Sequence, residues 1–568
     1  MTNRKQHQIT DYEKTLRDYH KTSSRHVVVF ETEISEDNKR HLFRQADLLR
    51  QCGNELLGIM KRRLEQLLRT KRYRGLRKYY GSLNEKLKAL EKVKVLSAIQ
   101  KKHRQELLAE LKSAGNSMKE MQEAYQVTWD FCRKTMEHLR LSYGQPSIFA
   151  LSRAEDVWSA VSKVLYSDGD SLHFRKRGQL PELRAKQSNR GILIFLKNDK
   201  LCFRCNGTDL PIRRNEKDLW LMDELDAVET YMKNPDTWDA YAVDQMQKNQ
   251  KIASTYRPCY ASIVCRIIRG KLRVYIHLTV EGSSLAKRTK DGCVKHPCSD
   301  GVVGCDIGTQ TIAYTSGHDV GLENLAERGQ SIRHTERQQR LILRAMDRSR
   351  RAMNPGNYNP DGTIRKGKKI WIKSNRYRKL QKRHQELCRI AAENRKLAIH
   401  EQVHKMRSFG NIFVTEAKNA KKLQRRAKPE NPLDKNGKPK RKKRFGKSIQ
   451  NRCPGYFQMK VKQMFESTGG IYIEVPTDYR ASQYDHTADD YIKKKLSQRM
   501  FCLQDGTKVQ RDWYSSFLLY CIDLTTKTID REKCKMEFES LLRKEQVMIE
   551  EIIRSGRQVM NSGIRIAQ

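Results

Sequence analysis

Residues 301–314 read GVVGCDIGTQTIAY, and this stretch decides how the second half of the chain folds. Apolar and small residues lead to Asp306, a glycine turn follows, and a second strand-like run begins. The pattern predicts two strands, with Asp306 at the inner end of the first. Burying a carboxylate is costly unless something binds it. A metal ion and a nucleotide phosphate are both consistent with this stretch alone.

Charge is the most unusual bulk property of the chain. Its 568 residues include 113 Lys and Arg against 66 Asp and Glu, which gives a formal net charge of +47 and a pI near 9.9. Such a charge repels itself unless a polyanion neutralises it, which favours a nucleic-acid partner over an ordinary basic surface. The cations run through the whole chain instead of one amphipathic segment, so a membrane-surface role is disfavoured.

The remaining composition predicts a folded cytoplasmic protein. A hydrophobic content of 38% is enough for real cores, and the length suggests about two to four domains. The sequence has no run of about 18 apolar residues, and its first residues, MTNRKQHQIT, do not resemble a signal peptide. We therefore expect a soluble protein with no membrane partner. Its 14 cysteines are scattered, as expected for reduced thiols.

The first 300 residues predict a β domain interrupted by helices. Residues 25–34 are apolar and β-branched, and residues 36–143 follow a helical period. Breaks in that helical region are predicted near Gly75, Gly81 and Gly115. One more helix, over residues 154–166, precedes two predicted hairpins. These are GILIFLKNDKLCFRC and ASIVCRIIRGKLRVYIHLTV, with Asn-Asp and Arg-Gly at their turns.

After Gly301 the pattern changes to alternating strands and helices. Long basic helices are predicted over residues 331–352 and 376–407, followed by the strand NIFVTEA. A helix from Tyr456, the strand GIYIEVP and a last helix after Asp512 complete the series. Such alternation is typical of an α/β domain.

Three acids lie at the ends of elements that have an apolar face. Asp306 and Glu416 each end an apolar strand, and Asp512 opens a helix whose Trp513 and Phe517 share one face. Such acids can converge at one edge of a sheet. Phosphodiester cleavage needs this kind of cluster, because hard oxygen ligands hold two Mg²⁺ ions about 4 Å apart, one activating water and one stabilising the leaving oxygen. Any one of these acids alone is better explained as a helix cap or a strand end, but the ordered set of three in a chain of net charge +47 favours the cleavage site.

Three segments resemble the RuvC motifs of TnpB proteins, the transposon-encoded RNA-guided nucleases, and of the related type V CRISPR effectors. They are GCDIGTQTIAY, IFVTEAKN and VQRDWYSSF, and the likeness extends over residues 300–525. Over residues 1–300 it rests on architecture alone. The resemblance implies Asp306, Glu416 and Asp512 as the catalytic, metal-binding acids, with two Mg²⁺ ions that Mn²⁺ could replace. It also implies a guide RNA that pairs with a double-stranded DNA target beside a short flanking motif, in the bacterial cytoplasm and associated with the nucleoid.

The fold class implied by the resemblance is multidomain α/β. It combines a RuvC nuclease domain, which is ribonuclease-H-like, with a β-barrel wedge domain interrupted by an all-helical recognition domain. The boundaries are 1–35 and 169–298 for the wedge domain, 36–168 for the recognition domain, 299–480 and 506–568 for the RuvC domain, and 481–505 for a degenerate zinc-ribbon-like insert that binds target nucleic acid.

The chain departs from the family at the zinc ribbon, which often has two Cys-x-x-Cys pairs before the third acid. Here the first pair falls on Asp485 and Ala488, and the second on Cys502 and Asp505. That set cannot supply a tetrahedral thiolate site, so no zinc is expected. An improvised site would use Asp485, His486, Cys502 and Asp505. The thiols elsewhere are weak candidates for a zinc site. They are Cys202 and Cys205 on a predicted hairpin, and Cys293 and Cys298 near His296.

Three basic segments are candidates for nucleic-acid contacts. Residues 418–452 carry fifteen basic residues against two acids and directly follow Glu416, which favours a lid over the active site, although a solvated tail or a localisation signal has the same composition. Residues 364–384 interleave aromatics with cations, so Trp371 either stacks on bases or belongs to a core. Residues 69–81 are a further basic-aromatic run. The candidate contacts are Arg74, Arg77, Lys78, Trp371, Lys421, Lys422, Arg425, Arg426, Lys440, Arg441, Lys442, Lys443 and Arg444.

Two other functions fit part of the pattern. Asp-Ile-Gly-Thr also opens the phosphate site of actin-like ATPases and sugar kinases, but those proteins need a second glycine-rich loop, and Glu416 is followed by AKNAKKLQRR. A guide-dependent DNA-binding protein would have the same high net charge, but its acid site would not cleave DNA. The sequence leaves open whether the protein is free-standing or CRISPR-associated, and whether one RNA holds a monomer or a dimer.

Overall fold

The structure is a computed structural model that divides into two compact units. Unit 1 is Met1–Leu285 and unit 2 is Ala286–Gln568. The residues described are 10–565, apart from 92–96, 167–168, 170, 180–181, 187–189, 249, 251, 253, 328–331, 419–445, 477–478 and 494–497. In these ranges no helix combines the length and the apolar character that a membrane crossing requires.

Unit 1 contains two antiparallel sheets. Its strands are β1 (Arg25–Glu31), β2 (Glu182–Arg184), β3 (Ile192–Lys197), β4 (Lys200–Cys205), β5 (Thr208–Pro211), β6 (Pro258–Ile268) and β7 (Lys271–Glu281). One sheet has the order β1-β7-β6-β2 and the other the order β3-β4-β5. Both predicted hairpins are confirmed, with Asn198 and Asp199 between β3 and β4, and Arg269 and Gly270 between β6 and β7. These turn residues have positive φ, the geometry that suits twisted strands.

The two sheets share a core, but they form open sheets where a β-barrel was predicted. Phe30, Phe203 and Ile276 pack in one cluster, and a bridge joins Thr32 after β1 to Ile212 after β5. A closed barrel needs each strand to pair on both sides. Within the described residues, β2 pairs with β6 alone and β3 with β4 alone, so the ring is open between β2 and β3.

The described part of unit 1 also contains helices. They are α1 (Asp11–Thr22), α2 (Glu36–Arg69), α3 (Lys71–Glu91), α4 (Ala98–Ala124), α5 (Trp129–Ser142), α6 (Ser147–Tyr166), α7 (Leu219–Lys233) and α8 (Pro235–Gln247). The predicted breaks at three glycines are wrong, because Gly75 and Gly81 lie inside α3 and Gly115 lies inside α4. A glycine in a helix costs only about 1 kcal/mol, which the burial of residues such as Tyr73 offsets.

Unit 2 is built on a five-stranded mixed sheet. Its strands are β8 (Val302–Ile307), β9 (Thr311–Ser316), β10 (Val320–Asn324), β11 (Ile412–Glu416) and β12 (Ile471–Val475). The order is β10-β9-β8-β11-β12, in which β8 to β10 are antiparallel neighbours and β8, β11 and β12 are parallel. Strand β10 is absent from the sequence prediction, whereas the other four strands are confirmed. Two short hairpins pair β13 (Tyr484–Asp485) with β14 (Asp490–Tyr491) and β15 (Met500–Cys502) with β16 (Lys508–Gln510).

Helices cover both faces of this sheet. They are α9 (Ile332–Met353), α10 (Asn375–Phe409), α11 (Gly446–Arg452), α12 (Pro454–Ser467), α13 (Arg511–Tyr520) and α14 (Arg531–Arg554). Successive strand residues point to opposite faces, so Phe413 packs with α10 and α12 while Val414 packs with α13 and α14. The buried residues of α10 lie between positions 398 and 407, and its first turns pair with α9. The protein is therefore a multidomain, mixed α/β protein.

Candidate active site

Asp306 and Glu416 lie side by side at one edge of the unit 2 sheet. Asp306 is the next-to-last residue of β8, and Glu416 is the last residue of β11. The strands are parallel with Thr415 opposite Cys305, so one further step along both strands brings Glu416 beside Asp306. The chain leaves β8 for β9 on one side, and β11 lies on the other side. Such a topological switch point is where open α/β sheets bind their ligands.

The third acid, Asp512, lies in the first turn of α13. This helix crosses β8 at Gly304, where an added Cβ would lie 2.3 Å from the Ser516 carbonyl oxygen and 2.3 Å from the Tyr520 nitrogen. Because these are backbone atoms, any side chain at position 304 would push the helix off the strand. A buried hydrogen bond of 2.8 Å between the hydroxyls of Thr315 and Ser516 holds the same contact. This close approach determines where Asp512 stands relative to β8.

Asp306 lies close enough to the other two carboxylates to influence their protonation. Burial raises the pKa of Glu416, and the charge of Asp306 raises it further. The pKa of Asp512 is raised by burial first and by Asp306 second. The side chains keep 14% (Asp306), 26% (Glu416) and 12% (Asp512) of their surface exposed, so a ligand can reach them. The structure thus brings the three predicted acids together, while their catalytic role stays a prediction.

Lys418 is a cationic neighbour that the sequence reasoning missed. Its ammonium donates to Asp306 Oδ1 and, at 2.9 Å, to the Ile307 carbonyl oxygen, and it lies 3.8 Å from Glu416 Oε2. Burial lowers the pKa of Lys418, but the two carboxylates outweigh that effect and the pKa lies above its ordinary value. The available signal was its position two residues after Glu416, since alternate residues of a strand face the same side.

Two arginines face the third acid. Arg499 Nη1 is 3.3 Å from both oxygens of Asp512, and Arg511 Nη2 is 3.3 Å from Oδ1. With Lys418, each acid therefore has a cation within 4 Å. In the described ranges, no group of three or more His, Cys, Asp or Glu side chains stands ready to hold a metal ion. The hard carboxylate oxygens do suit Mg²⁺, which proteins often hold by one or two carboxylates plus water and substrate phosphate.

The residues that fall on the zinc-ribbon positions have structural roles. Asp485 accepts backbone hydrogen bonds across its loop, and His486 is buried with its Nδ1 2.7 Å from the Tyr514 hydroxyl. Cys502 is exposed on β15, and Asp505 lies in the turn before β16. The other thiols considered are Cys202 and Cys205, both buried in β4, and Cys293 and Cys298, both exposed. The absence of zinc stays a prediction.

Two of the three candidate contacts on α3 are exposed. These are Arg74 and Lys78, whereas Arg77 is half-buried and donates to the Val164 carbonyl oxygen at 2.9 Å. That carbonyl lies in the last turn of α6, so Arg77 satisfies a helix end. Tyr73 is fully buried and belongs to the core of unit 1. Of the three candidates, Arg74 and Lys78 are therefore the two that a phosphate can reach; Lys71, Arg72, Lys86 and Lys88 of the same helix are exposed as well.

Trp371 is half-buried in the connection between α9 and α10. Its ring lies edge-on to Tyr358 at 5.8 Å, and the Arg350 guanidinium is 5.1 Å from its centre. Asn354 fixes the adjacent backbone through two hydrogen bonds to Ile372, of 2.7 and 2.9 Å. The Arg350 guanidinium covers one face of the indole, and stacking on a base stays a prediction. Exposed cations of the same connection are Arg365, Lys366, Lys368 and Lys373.

Most of the predicted lid lies outside the described residues. Its candidate contacts that fall there are Lys421, Lys422, Arg425, Arg426, Lys440, Arg441, Lys442, Lys443 and Arg444.

Comparison with known proteins gave weak structural likenesses. No protein-family model matched the chain, and no curated protein matched it. A complex of Cas12f1 with guide RNA and target DNA has a TM-score of 0.38 at 10% identity, covering 87% of this chain and 98% of that chain. Two R-loop complexes of Cas12i1, before and after target DNA cleavage, both have a TM-score of 0.24, at 9% and 8% identity. They cover 79% and 89% of this chain, and 58% and 64% of the Cas12i1 chains. TM-scores of this size do not establish a common fold.

Proposed function

We propose that the protein is an RNA-guided DNA endonuclease that cleaves at Asp306, Glu416 and Asp512. The observation that carries this proposal is the meeting of three largely buried acids, from separate parts of the chain, at one edge of the sheet. Burial and the charge of Asp306 raise the pKa of Glu416 and of Asp512, which disfavours the ionised acids in the fold, so chemistry explains the cluster better than stability does. The RuvC-like motifs around the same residues support the assignment.

The site offers the groups that phosphodiester cleavage requires. Mg²⁺, or Mn²⁺ in its place, would be held by Asp306 and Glu416 and would supply water activation and charge stabilisation. Glu416 has a raised pKa and the largest exposed fraction of the three acids, so it can accept a proton from the attacking water. Arg499 and Arg511 border the site beside Asp512 and can donate to phosphate oxygens.

The partners that we propose are a guide RNA and a double-stranded DNA target. A net charge of +47 needs a polyanion of comparable size, and a structured RNA would neutralise it throughout the life of the complex. The guide and its pairing with DNA come from the family resemblance, in which base pairing reads the sequence and the protein reads a short flanking motif. Exposed Arg74 and Lys78 are the described cations that we assign to backbone contacts.

The test compares cleavage and binding in the same preparations. Protein purified with the RNA of its native locus is given a guide-matched plasmid in Mg²⁺. Asp306→Ala, Glu416→Ala and Asp512→Ala should each reduce cleavage to background and leave target binding near wild type, and a double variant should be no worse than a single one. Cleavage that persists in Asp306→Ala, or binding that disappears with cleavage, would place the chemistry elsewhere.

A second candidate function is guide-dependent DNA binding without cleavage. One observation favours it, namely that each of the three acids already faces a cationic side chain. Wild-type protein that binds a guide-matched target tightly, yet leaves it intact in both Mg²⁺ and Mn²⁺, would establish this alternative.

A further inference from the structure

We propose that Lys418 is a catalytic group of this site, and that its ammonium takes the place of one of the two divalent cations implied by the motifs. Cleavage then uses one divalent ion and one lysine. This inference rests on the proposed function, because it assigns a role within the same reaction.

The fold fixes the position of Lys418. Glu416 ends β11, so one residue separates Lys418 from a strand whose register with β8 is set. Besides the Asp306 carboxylate, the ammonium binds the carbonyl oxygen of Ile307 at 2.9 Å. That carbonyl belongs to the β8 backbone and cannot rotate away as a side chain can. The ammonium therefore keeps its hydrogen bond to the Ile307 carbonyl when the Asp306 carboxylate binds a divalent ion instead.

The charges of the site leave room for one divalent ion. When ionised, the three acids carry three negative charges, and the cations that face them at 3.8 Å or less, Lys418, Arg499 and Arg511, carry three positive ones. Two divalent ions would add four positive charges to a largely buried and already neutral cluster, and uncompensated buried charge is costly. One ion adds two positive charges, which match the doubly negative transition state that forms when hydroxide adds to a phosphodiester. The charge balance therefore favours one divalent ion beside the Lys418 ammonium.

In this scheme Lys418 stabilises the charge that develops on the phosphate. The oxygen of a water molecule bonds to phosphorus while the bond from phosphorus to the leaving sugar oxygen breaks. One proton of the water passes to Glu416 and from there to solvent, and the other ends on that leaving oxygen. The non-bridging oxygens gain negative charge in the transition state, and the Lys418 ammonium lies beside them and keeps its protons throughout.

The first test compares cleavage rates. Lys418→Met removes the charge and keeps the length, and it should slow single-turnover cleavage at saturating Mg²⁺ by about 10²- to 10³-fold, the loss that follows removal of one charge-stabilising donor. Lys418→Arg should recover part of the rate. Lys405→Met is the matched control, because Lys405 belongs to the same unit, pairs with Glu323 and has a similar exposed fraction, 39% against 31%. It should cleave like wild type. If Lys418 only occupies the site until metal arrives, Lys418→Met will cleave as fast or faster, which would overturn the proposal.

The second test counts ions and is independent of activity. Mn²⁺ bound to the RNA-free full-length chain is measured by electron paramagnetic resonance, with Asp306→Ala as the blank. Wild type should hold one site-specific ion, and Lys418→Met should hold a second. Two site-specific ions in wild type would overturn the proposal. Failure of the proposed function gives a different result, since either wild type would leave the target intact or Asp306→Ala would cleave like wild type, whatever the Lys418 variants do.

Discussion

Gly304→Ala tests whether the contact between α13 and β8 positions the active site. The new methyl group would lie 2.3 Å from two backbone atoms of α13, whereas an ordinary contact begins at 3.4 Å. The helix must therefore retreat by about 1 Å, a strain that costs about 1–3 kcal/mol in a packed core. The retreat also stretches the Thr315–Ser516 hydrogen bond and moves Asp512 away from Asp306. A misplacement of that size lowers cleavage by about 10²-fold.

The assay pairs chemical denaturation of the RNA-free protein with single-turnover cleavage by the guide-loaded complex. Gly317→Ala is the control, because its new Cβ meets only the Tyr520 hydroxyl at 3.4 Å, and both quantities should match wild type. A Gly304→Ala protein with wild-type stability would refute the crowding at this glycine. A protein that loses stability but keeps full cleavage would refute the link between this contact and the position of Asp512.

Two further predictions concern charge. Neutralising residues 440–444 should abolish cleavage at a lower salt concentration than in wild type, because salt screens the phosphate contacts that remain. The melting temperature should stay unchanged. A clearly lower melting temperature would show that the stretch is structural. Glu545 is 1% exposed, accepts a hydrogen bond from the Gln510 backbone N–H at 3.1 Å, and has its pKa raised by burial from 4.5 to about 7. A raised carboxyl pKa means that stability is lost as pH rises from 4.5 through about 7. Glu545→Gln should therefore raise the free energy of unfolding by up to about 3 kcal/mol at pH 8 and change it little at pH 4.5. An equal change at both pH values in denaturant titrations would contradict this reasoning.

Sequence reasoning succeeded in unit 2 where an element has a strong pattern of its own. Strands β8 and β11 are short apolar runs bounded by turns, so both the strands and the acids that end them could be predicted. Strand β10 reads VGLEN, which has little pattern, and it forms because β9 offers an edge to pair with. The spacing of Lys418 from Glu416 indicates that both face the same side, but the contact of Lys418 with Asp306 also depends on the register of β11 against β8, which local sequence does not contain. Gly304 is one of 31 glycines, and the helix that makes it necessary comes far later in the chain.

In unit 1 the errors came from weighing local signals wrongly. The glycines in α3 and α4 were given too much weight as helix breakers, because tertiary packing overrides a small propensity cost. Helix α1 was missed although Thr10 and Glu13 form a capping box, whose residue types and spacing are a recognisable signal of a helix N-terminus. The open sheets could not be foreseen, since closure depends on which edges meet and not on the strands themselves.

The paired helices α9 and α10 form an arm, and the C-terminal end of α10 packs this arm against the sheet. The buried residues of α10 lie between positions 398 and 407, and Glu336 near the start of α9 accepts a hydrogen bond from Asn451 of α11. The first turns of α10 and the last turns of α9 can therefore change length without disturbing the strands that carry Asp306 and Glu416. Each added helical turn moves the far end of the arm outward by about 5.4 Å. Insertion or deletion of whole turns would therefore change the distance between the three carboxylates and the exposed cations in the connection between α9 and α10. For the proposed endonuclease, such changes in length would move the cut along the target and leave the chemistry unchanged.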